Sequence, residues 1–453
     1  MTSESDNRGQ WGSKTGFVMA AAGSAVGLAN IWAFPYRTGQ NGGAAFVIVY
    51  LVCIFLICLP FLLAEITLGR YSQKNVMGAI RAIRPKSTWL GLGVLSIVAS
   101  IFILSFYSVV AGWSVGFIFK TLVHSETPFT AFAPKPQIVL PLSALFIVFT
   151  VLVVYGGVKT GIERWSKMLM PLLILLMVGL ILRGLMLPNA LNGLEFYLKP
   201  DFSKLDGKVI MAAIGQAFFS LSLGIGGILT YGSYLSKKEN IIRSGFYIAW
   251  FDTLIALLAG LMIFPALFAF GLEPNEGPPL VFMVLPEVFK QLPAGNVIGA
   301  GFFLMLSIAA LTSTISMLEI SVAYFVDEKR WRRKHIVWVV GMLAFMLGLP
   351  SALSQGAIPS LSDLPLFGGL SYLELMIFLW FDIFPPLGAI LFSIFIGWVW
   401  GIDNAIGELQ KGSQLLQRNV LGFPVKIATI WGFFIRYLCP LAIALIWFNA
   451  IFA

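Results

Sequence analysis

The stretch "GSAVGLANIWAFP" (Gly23–Pro35) lies between two runs apolar enough to be buried, yet it carries two glycines, small alanines and a lone Asn30. Glycine costs a helix about 1 kcal/mol relative to alanine, so the segment is poorly suited to an unbroken helix. Its surroundings give that weakness a meaning. Of 453 residues, 58% are apolar and 11% charged, against about 25% charged in an ordinary soluble domain. The charges cluster between long uncharged runs, each able to cross a hydrocarbon core of about 30 Å as a helix. A barrel would instead show alternating segments of about ten residues. The chain reads as an all-α polytopic membrane protein.

Apolar runs predict eleven transmembrane helices, near residues 14–37, 44–70, 91–122, 137–156, 161–186, 209–235, 243–271, 295–328, 335–354, 372–400 and 424–452. The organisation expected is a tail 1–13, a five-helix unit 14–186, an extracellular loop 187–208, a second five-helix unit 209–400, a cytoplasmic loop 401–423 and a last helix 424–453. The polar start has no cleavable signal pattern, so the first helix serves as its own insertion signal. With the N-terminus cytoplasmic, most of the 30 Lys and Arg fall inside. They include Arg70, Lys74, Arg81, Arg84 and Lys86, and the run from Lys329 to Lys334, as the positive-inside rule requires. The net charge of +9 therefore reflects topology, and no nucleic-acid partner is expected.

Cys53, Cys58 and Cys439 sit in apolar helices as small buried hydrophobes, without a CxxC motif. His124 and His335 have no neighbours at metal-ligand spacing. No phosphate-cradling Gly-Lys-Ser/Thr loop is present, which argues against an ATP motor, and no nucleophile–base constellation suggests an enzyme.

The sixth run repeats the oddity of the first. "GQAFFSLSLGIGGILTYGSY" (Gly215–Tyr234) places Ser220, Ser222, Gly224, Gly226 and Gly227 in mid-membrane. One such glycine ordinarily marks close helix packing. Two clusters five helices apart, in corresponding positions of two halves, point instead to two broken helices. A break frees amides and carbonyls that cannot stay unpaired in lipid. The half-helix N-terminus suits an anion and the freed carbonyls a cation. The residues thus imply a secondary transporter with a midplane site for a zwitterionic or polar solute and a coupling cation.

"GSAVGLANIWAFPY", "NGGAAFVIVY", "GIERWSKMLMP", "FFSLSLGIGG" and "ALTSTIS" together resemble the neurotransmitter:sodium symporter family, in its bacterial amino-acid-transporting branch. The resemblance runs from Trp11 to the eleventh helix. It implies the leucine-transporter fold, a 5+5 inverted repeat with helices one and six broken; a member of this fold is the stock illustration of such helices. It also implies a multi-pass protein of the bacterial inner membrane, a monomer or weak dimer, working by alternating access with two sodium ions and no organic cofactor.

Carried over by position, the resemblance puts sodium 1 on Ala25, Asn30, Ser220, Asp252 and the substrate carboxylate. Sodium 2 falls on Gly23, Val26, Ala309, Thr312 and Ser313. The substrate carboxylate would meet the amides of Leu28 and Ala29 and the hydroxyl of Tyr107. Its ammonium would meet Ala25, Phe219, Ser220 and Ser222. Ile103, Phe219, Ile225, Ser313 and Met317 would line an uncharged side-chain pocket. Members that carry biogenic amines have Asp where this chain has Gly27, so a neutral, hydrophobic L-amino acid is expected.

Asp252, inside "FYIAWFDTLIALLAG", is costly in a bilayer and so is a functional candidate. The family usually has Asn there, and Ala256 stands where other members carry Ser or Glu. Asp252 is expected to supply the fixed charge that others take from chloride, making transport chloride-independent with possible proton counter-flow. Tyr50 and Gln216 complete the chloride-site positions.

For the inner gate the resemblance implies an ion pair of Arg8 and Asp327 with Trp11, Ser233 and Tyr234, and a hinge in helix five from Gly161 to Pro171. The outer gate departs from the family: Ala33 and Ile377 replace its ion pair, and Arg37 with Glu374 is one displaced substitute. Two other readings fit the residues, a proton-driven or exchange carrier of the same fold and a membrane amino-acid sensor.

Overall fold

The computed structural model describes residues 9–125, 127–272, 280–420 and 424–452. Among these, nine continuous helices are long and apolar enough to cross a membrane. Helices two to five are Ala44–Ser72, Leu90–Leu122, Pro136–Tyr155 and Val158–Leu185; helices seven to eleven are Ile241–Ala269, Gly295–Lys329, Arg333–Leu353, Tyr372–Leu409 and Ile427–Phe452. Helix one is a bent pair, Lys14–Ala25 and Ala29–Gln40, with 58° between its halves. Helix six, the remaining expected span, is split into the shorter helices Gly207–Ser220 and Gly227–Gly232.

Two expected loops contain helix. Helix ten runs on to Leu409, into the segment 401–423 that the sequence suggests is loop. Its end is tied down because Arg70, fully buried in helix two, gives Nε to Glu408 at 2.8 Å. The segment 187–208 carries the helix Ala190–Leu198. Its Tyr197 hydroxyl donates to the Leu257 carbonyl of helix seven at 3.1 Å.

Helices three, eight and nine form a frame held by small residues and hydroxyls. Ser100 pairs with Ser321 at 2.8 Å and Ser114 with Ser307 at 2.7 Å across helices three and eight. Thr150 of helix four meets Thr314 of helix eight at 2.9 Å, and a Cβ on Gly348 of helix nine would lie 2.5 Å from the Ser105 carbonyl. Lipid offers no hydrophobic drive between helices, so close approach and interhelical hydrogen bonds hold such a frame together. The two broken helices lie against it.

The second half of helix six packs backbone to backbone on helix two. A Cβ at Gly69 would sit 2.1 Å from the Leu229 carbonyl, and one at Gly232 would sit 2.8 Å from that of Ile66. Overpacking of this kind costs about 1–3 kcal/mol. Gly69→Ala should therefore lower the melting temperature of the detergent-purified protein. An unchanged melting temperature would show that the two helices part without cost.

Candidate functional site

Helix one stops at Ala25, where Val26 turns extended with ψ 110°. It resumes as a π-helical segment over Ala29–Ala33. Helix six leaves helical geometry at Leu221, and Ser222, Gly224 and Gly226 adopt left-handed φ of +51°, +85° and +86°. For Ser222 that conformation is strained, and such strain collects at functional positions. The breaks face each other: Asn30 Nδ2 donates to Ser220 Oγ at 2.8 Å, and Ser222 Oγ donates to the Ser24 carbonyl at 3.3 Å.

Three groups of buried polar atoms occupy this junction. In the first, the Leu28 amide donates to the Tyr107 hydroxyl at 2.9 Å. A Cβ on Gly27 would lie 2.7 Å from that hydroxyl and 2.8 Å from Ser313 Oγ. Glycine lets the Tyr107 and Ser313 hydroxyls approach the backbone of the break this closely. Ala29, the other expected carboxylate-binding position, begins the segment that follows.

In the second, fully buried Asp252 accepts from Asn30 Nδ2 at 2.7 Å and from Ser220 Oγ at 2.6 Å. Tyr50 donates to Ser220 Oγ at 3.1 Å. Asn30 turns its own oxygen to the Gly27 amide at 3.2 Å. Gln216 reaches the Ala29 carbonyl at 3.4 Å. Each buried lone pair used here relieves the cost of a carboxylate in a dry interior.

In the third, Ser313 Oγ donates to the Val26 carbonyl at 3.0 Å, while Thr312 Oγ1 lies 3.4 Å from Val26 O and 2.9 Å from Ala309 O. A Cβ on Gly23 would touch Thr312 Cβ at 3.1 Å and Met170 Sδ at 3.2 Å. All-oxygen clusters of this kind suit a hard cation.

A cavity of about 960 Å³ opens from the junction toward the face opposite the N-terminal segment. Its wall includes Phe219, Ser222 and Ile225 at the helix-six break, Met317 of helix eight, and Arg37, Asp382 and Asn449. Ile103, fully buried, and Ser313 are not on its wall. On the N-terminal face, Trp11 closes the bundle. Its indole donates to the Tyr231 carbonyl at 2.9 Å and its ring lies edge-on to Tyr231 and Tyr234. Asp327 accepts from the Asn75 side chain at 3.1 Å; its expected partner Arg8 lies outside the described residues. Helix five starts as a π-helical segment, Val158–Glu163, and continues helical through Pro171.

The displaced outer pair is not formed by Glu374. That carboxylate closes a capping box at the start of helix ten, accepting from the Ser371 amide at 2.8 Å. Three acidic groups escaped the sequence reading. Buried Glu65 accepts the Gly224 amide at 3.0 Å and so holds the helix-six break. Glu319 accepts from the Tyr234 hydroxyl at 2.6 Å and pairs with Arg333. Asp382 lines the cavity. A lone carboxylate inside an apolar run was the available signal for each.

The profile of the sodium:neurotransmitter symporter family matches residues 8–131 and 130–448. An uncharacterized sodium-dependent transporter of Bacillus subtilis (strain 168), YhdH, is 41% identical over 98% of this chain and 97% of its own length. Another, MJ1319 of Methanocaldococcus jannaschii, is 30% identical over 97% of this chain and 90% of its own. The crystal structure of MhsT in complex with L-phenylalanine aligns with a TM-score of 0.86 at 41% identity, covering 98% of this chain and 100% of that one. With its two broken helices and the matching profile over nearly its whole length, the chain belongs to the sodium:neurotransmitter symporter family, whose members are transporters and not enzymes.

Proposed function

We infer that this sodium-dependent symporter imports neutral, hydrophobic L-amino acids, with two sodium ions bound at the oxygen clusters around Asp252 and around Thr312 and Ser313. The observation that carries this reading is the break beside Gly27, where the Leu28 amide meets the Tyr107 hydroxyl and no side chain of helix one intervenes. A substrate carboxylate that displaces the Tyr107 hydroxyl from that amide gains a half-helix N-terminus to hold it. The apolar wall of the cavity at the helix-six break, with flexible Met317, accepts an aliphatic or aromatic side chain. A relative of known structure holds L-phenylalanine, which supports the same class.

At the first cluster, sodium takes the bridging place that Asn30 Nδ2 occupies between Asp252 and Ser220. The amide then rotates to present its oxygen. The Asp252 charge stands in for chloride, and after sodium leaves it accepts a proton for the return step. At the second cluster, sodium ties the first half of helix one to helix eight. The distribution of Lys and Arg supports a cytoplasmic N-terminus in a bacterial inner membrane.

Reconstituted into liposomes, the protein should accumulate labelled leucine-, phenylalanine- or tryptophan-like substrates only under an inward sodium gradient. Accumulation unaffected by sodium would falsify this reading. Gly27→Ala should reduce that uptake at least about tenfold, the equivalent of about 1.4 kcal/mol. Asp252→Asn should make sodium-driven uptake chloride-dependent and remove its response to a pH gradient, compared in chloride and gluconate buffers. An Asp252→Asn protein indifferent to sodium, chloride and pH alike would remove the assigned role of the carboxylate.

A further inference from the structure

Across the cavity from helix one, helix ten is wound as a π-helical segment over Phe378–Ile383, and Pro385 and Pro386 follow at once. A π-turn shifts the helix face, and such turns concentrate at functional sites. Proline removes the amides that would bond back to the carbonyls of Phe381 and Asp382. Here the irregular helix also touches the break in helix six. A Cβ on Gly224 would lie 2.2 Å from the Pro385 carbonyl and one on Gly388 2.3 Å from that of Gly224.

This geometry turns Asp382 into the cavity, on whose other wall stands Arg37. Each charge lies within the electrostatic reach of the other. Among the described residues no ion pair joins them. Two aromatic rings stand beside them. Arg37 Cζ sits 5.6 Å from the centroid of Phe219, a cation–π approach. Phe219 in turn meets Phe381 edge-on at 3.7 Å between centroids. Phe219 also lines the cavity, with Ser222 and Ile225. Relative to Ala33, Arg37 is one helical turn farther toward the cavity mouth, and Asp382 lies five positions beyond Ile377 in helix ten.

We propose that Arg37 and Asp382 are the outer gate of this transporter, closing as an ion pair over the Phe219–Phe381 rings once substrate is bound. The assignment rests on the transport reading above. Low-dielectric walls focus the attraction between two such charges across a narrow water-filled cavity. The Phe219 ring, already stacked against the guanidinium, guides Arg37 inward as the walls approach. The pair acts through closure and leaves the contacts of the amino acid itself to the helix breaks.

The test compares unaltered protein, Arg37→Gln, Asp382→Asn and the exchange Arg37→Asp with Asp382→Arg in one set of sodium-loaded assays. Bound labelled amino acid should leave each neutral variant about tenfold faster, with a correspondingly weaker affinity and an unchanged association rate, and sodium-driven uptake should fall several-fold. The exchanged pair should recover slow release. Cys introduced at Met211 on the cavity wall should be shielded from a polar thiol reagent by sodium plus substrate in the unaltered background, and stay reactive with Arg37→Gln; the native cysteines are buried. Neutral variants that release substrate at the unaltered rate would overturn the gate. So would an exchange no better than the single variants, or a loss of affinity confined to the association rate, which would mark the pair as a docking site for incoming solute. Sodium-driven uptake by the unaltered protein is measured alongside, so failure of the transport reading is told apart from failure of the gate.

Discussion

A backbone amide or carbonyl released from helical pairing inside a bilayer must find another partner, and this constraint organises the centre of the molecule. The break at Val26–Leu28 releases groups that are met by Tyr107, Ser313 and the Asn30 side chain. The break at Leu221–Gly226 is met by Glu65, which takes the Gly224 amide. The rest of the fold supplies walls. Serine and threonine pairs hold helices three, four and eight, so the broken helices rest on a frame whose own hydrogen bonds do not depend on them.

The same constraint explains why the charged residues are so few and so placed. Asp252 is bearable because two donors reach it from two different helices, Asn30 in helix one and Ser220 in helix six. Those donors belong to the two broken helices. The carboxylate therefore couples the two broken helices to each other, and a cation at the proposed first sodium site would strengthen that coupling. The oxygen cluster at Thr312 and Ser313 does the same between helix one and the frame. Proposed sodium binding and proposed closure are thus one event viewed at two places.

The spans and both breaks were readable in the sequence because their signals are local: continuous apolar runs, and glycine and serine where lipid allows neither loop nor sheet. Tyr107 and Gly27 were assigned through the family resemblance, and the structure brings them within contact distance. What escaped depends on distant partners. Helix ten continues past Gly401 because Arg70, more than three hundred positions away in sequence, anchors Glu408, and nothing in the stretch after Gly401 reveals that partner. Glu374 drew attention as a charge near the membrane edge, yet it serves its own helix as a cap. Asp382 sits among aromatics and prolines, and only the π-helical winding of Phe378–Ile383 shows which wall it faces. Spacing argued from an ideal helix fails at such a segment.

The closed N-terminal face has a different construction from the cavity side, and the difference lies in Glu163. This buried carboxylate ends the π-helical segment that opens helix five. It accepts from the Gly12 amide at 2.6 Å, from Ser13 Oγ at 2.8 Å and from Lys167 at 2.5 Å. Its side chain fills the space beside Gly16 so fully that a Cβ there would lie 2.2 Å away. A carboxylate at the start of a helix also favours the positive end of the helix dipole, here that of Lys14–Ala25. Three residues before Lys14, Trp11 plugs the bundle against Tyr231. An unwinding between Gly161 and Pro171, the expected hinge, would carry Glu163 with it. It would remove the cap from helix one, loosen the segment bearing the Trp11 plug and uncover the Met170 side of Gly23 beside the Thr312 cluster, so that opening of the inner face would be a single displacement rather than three.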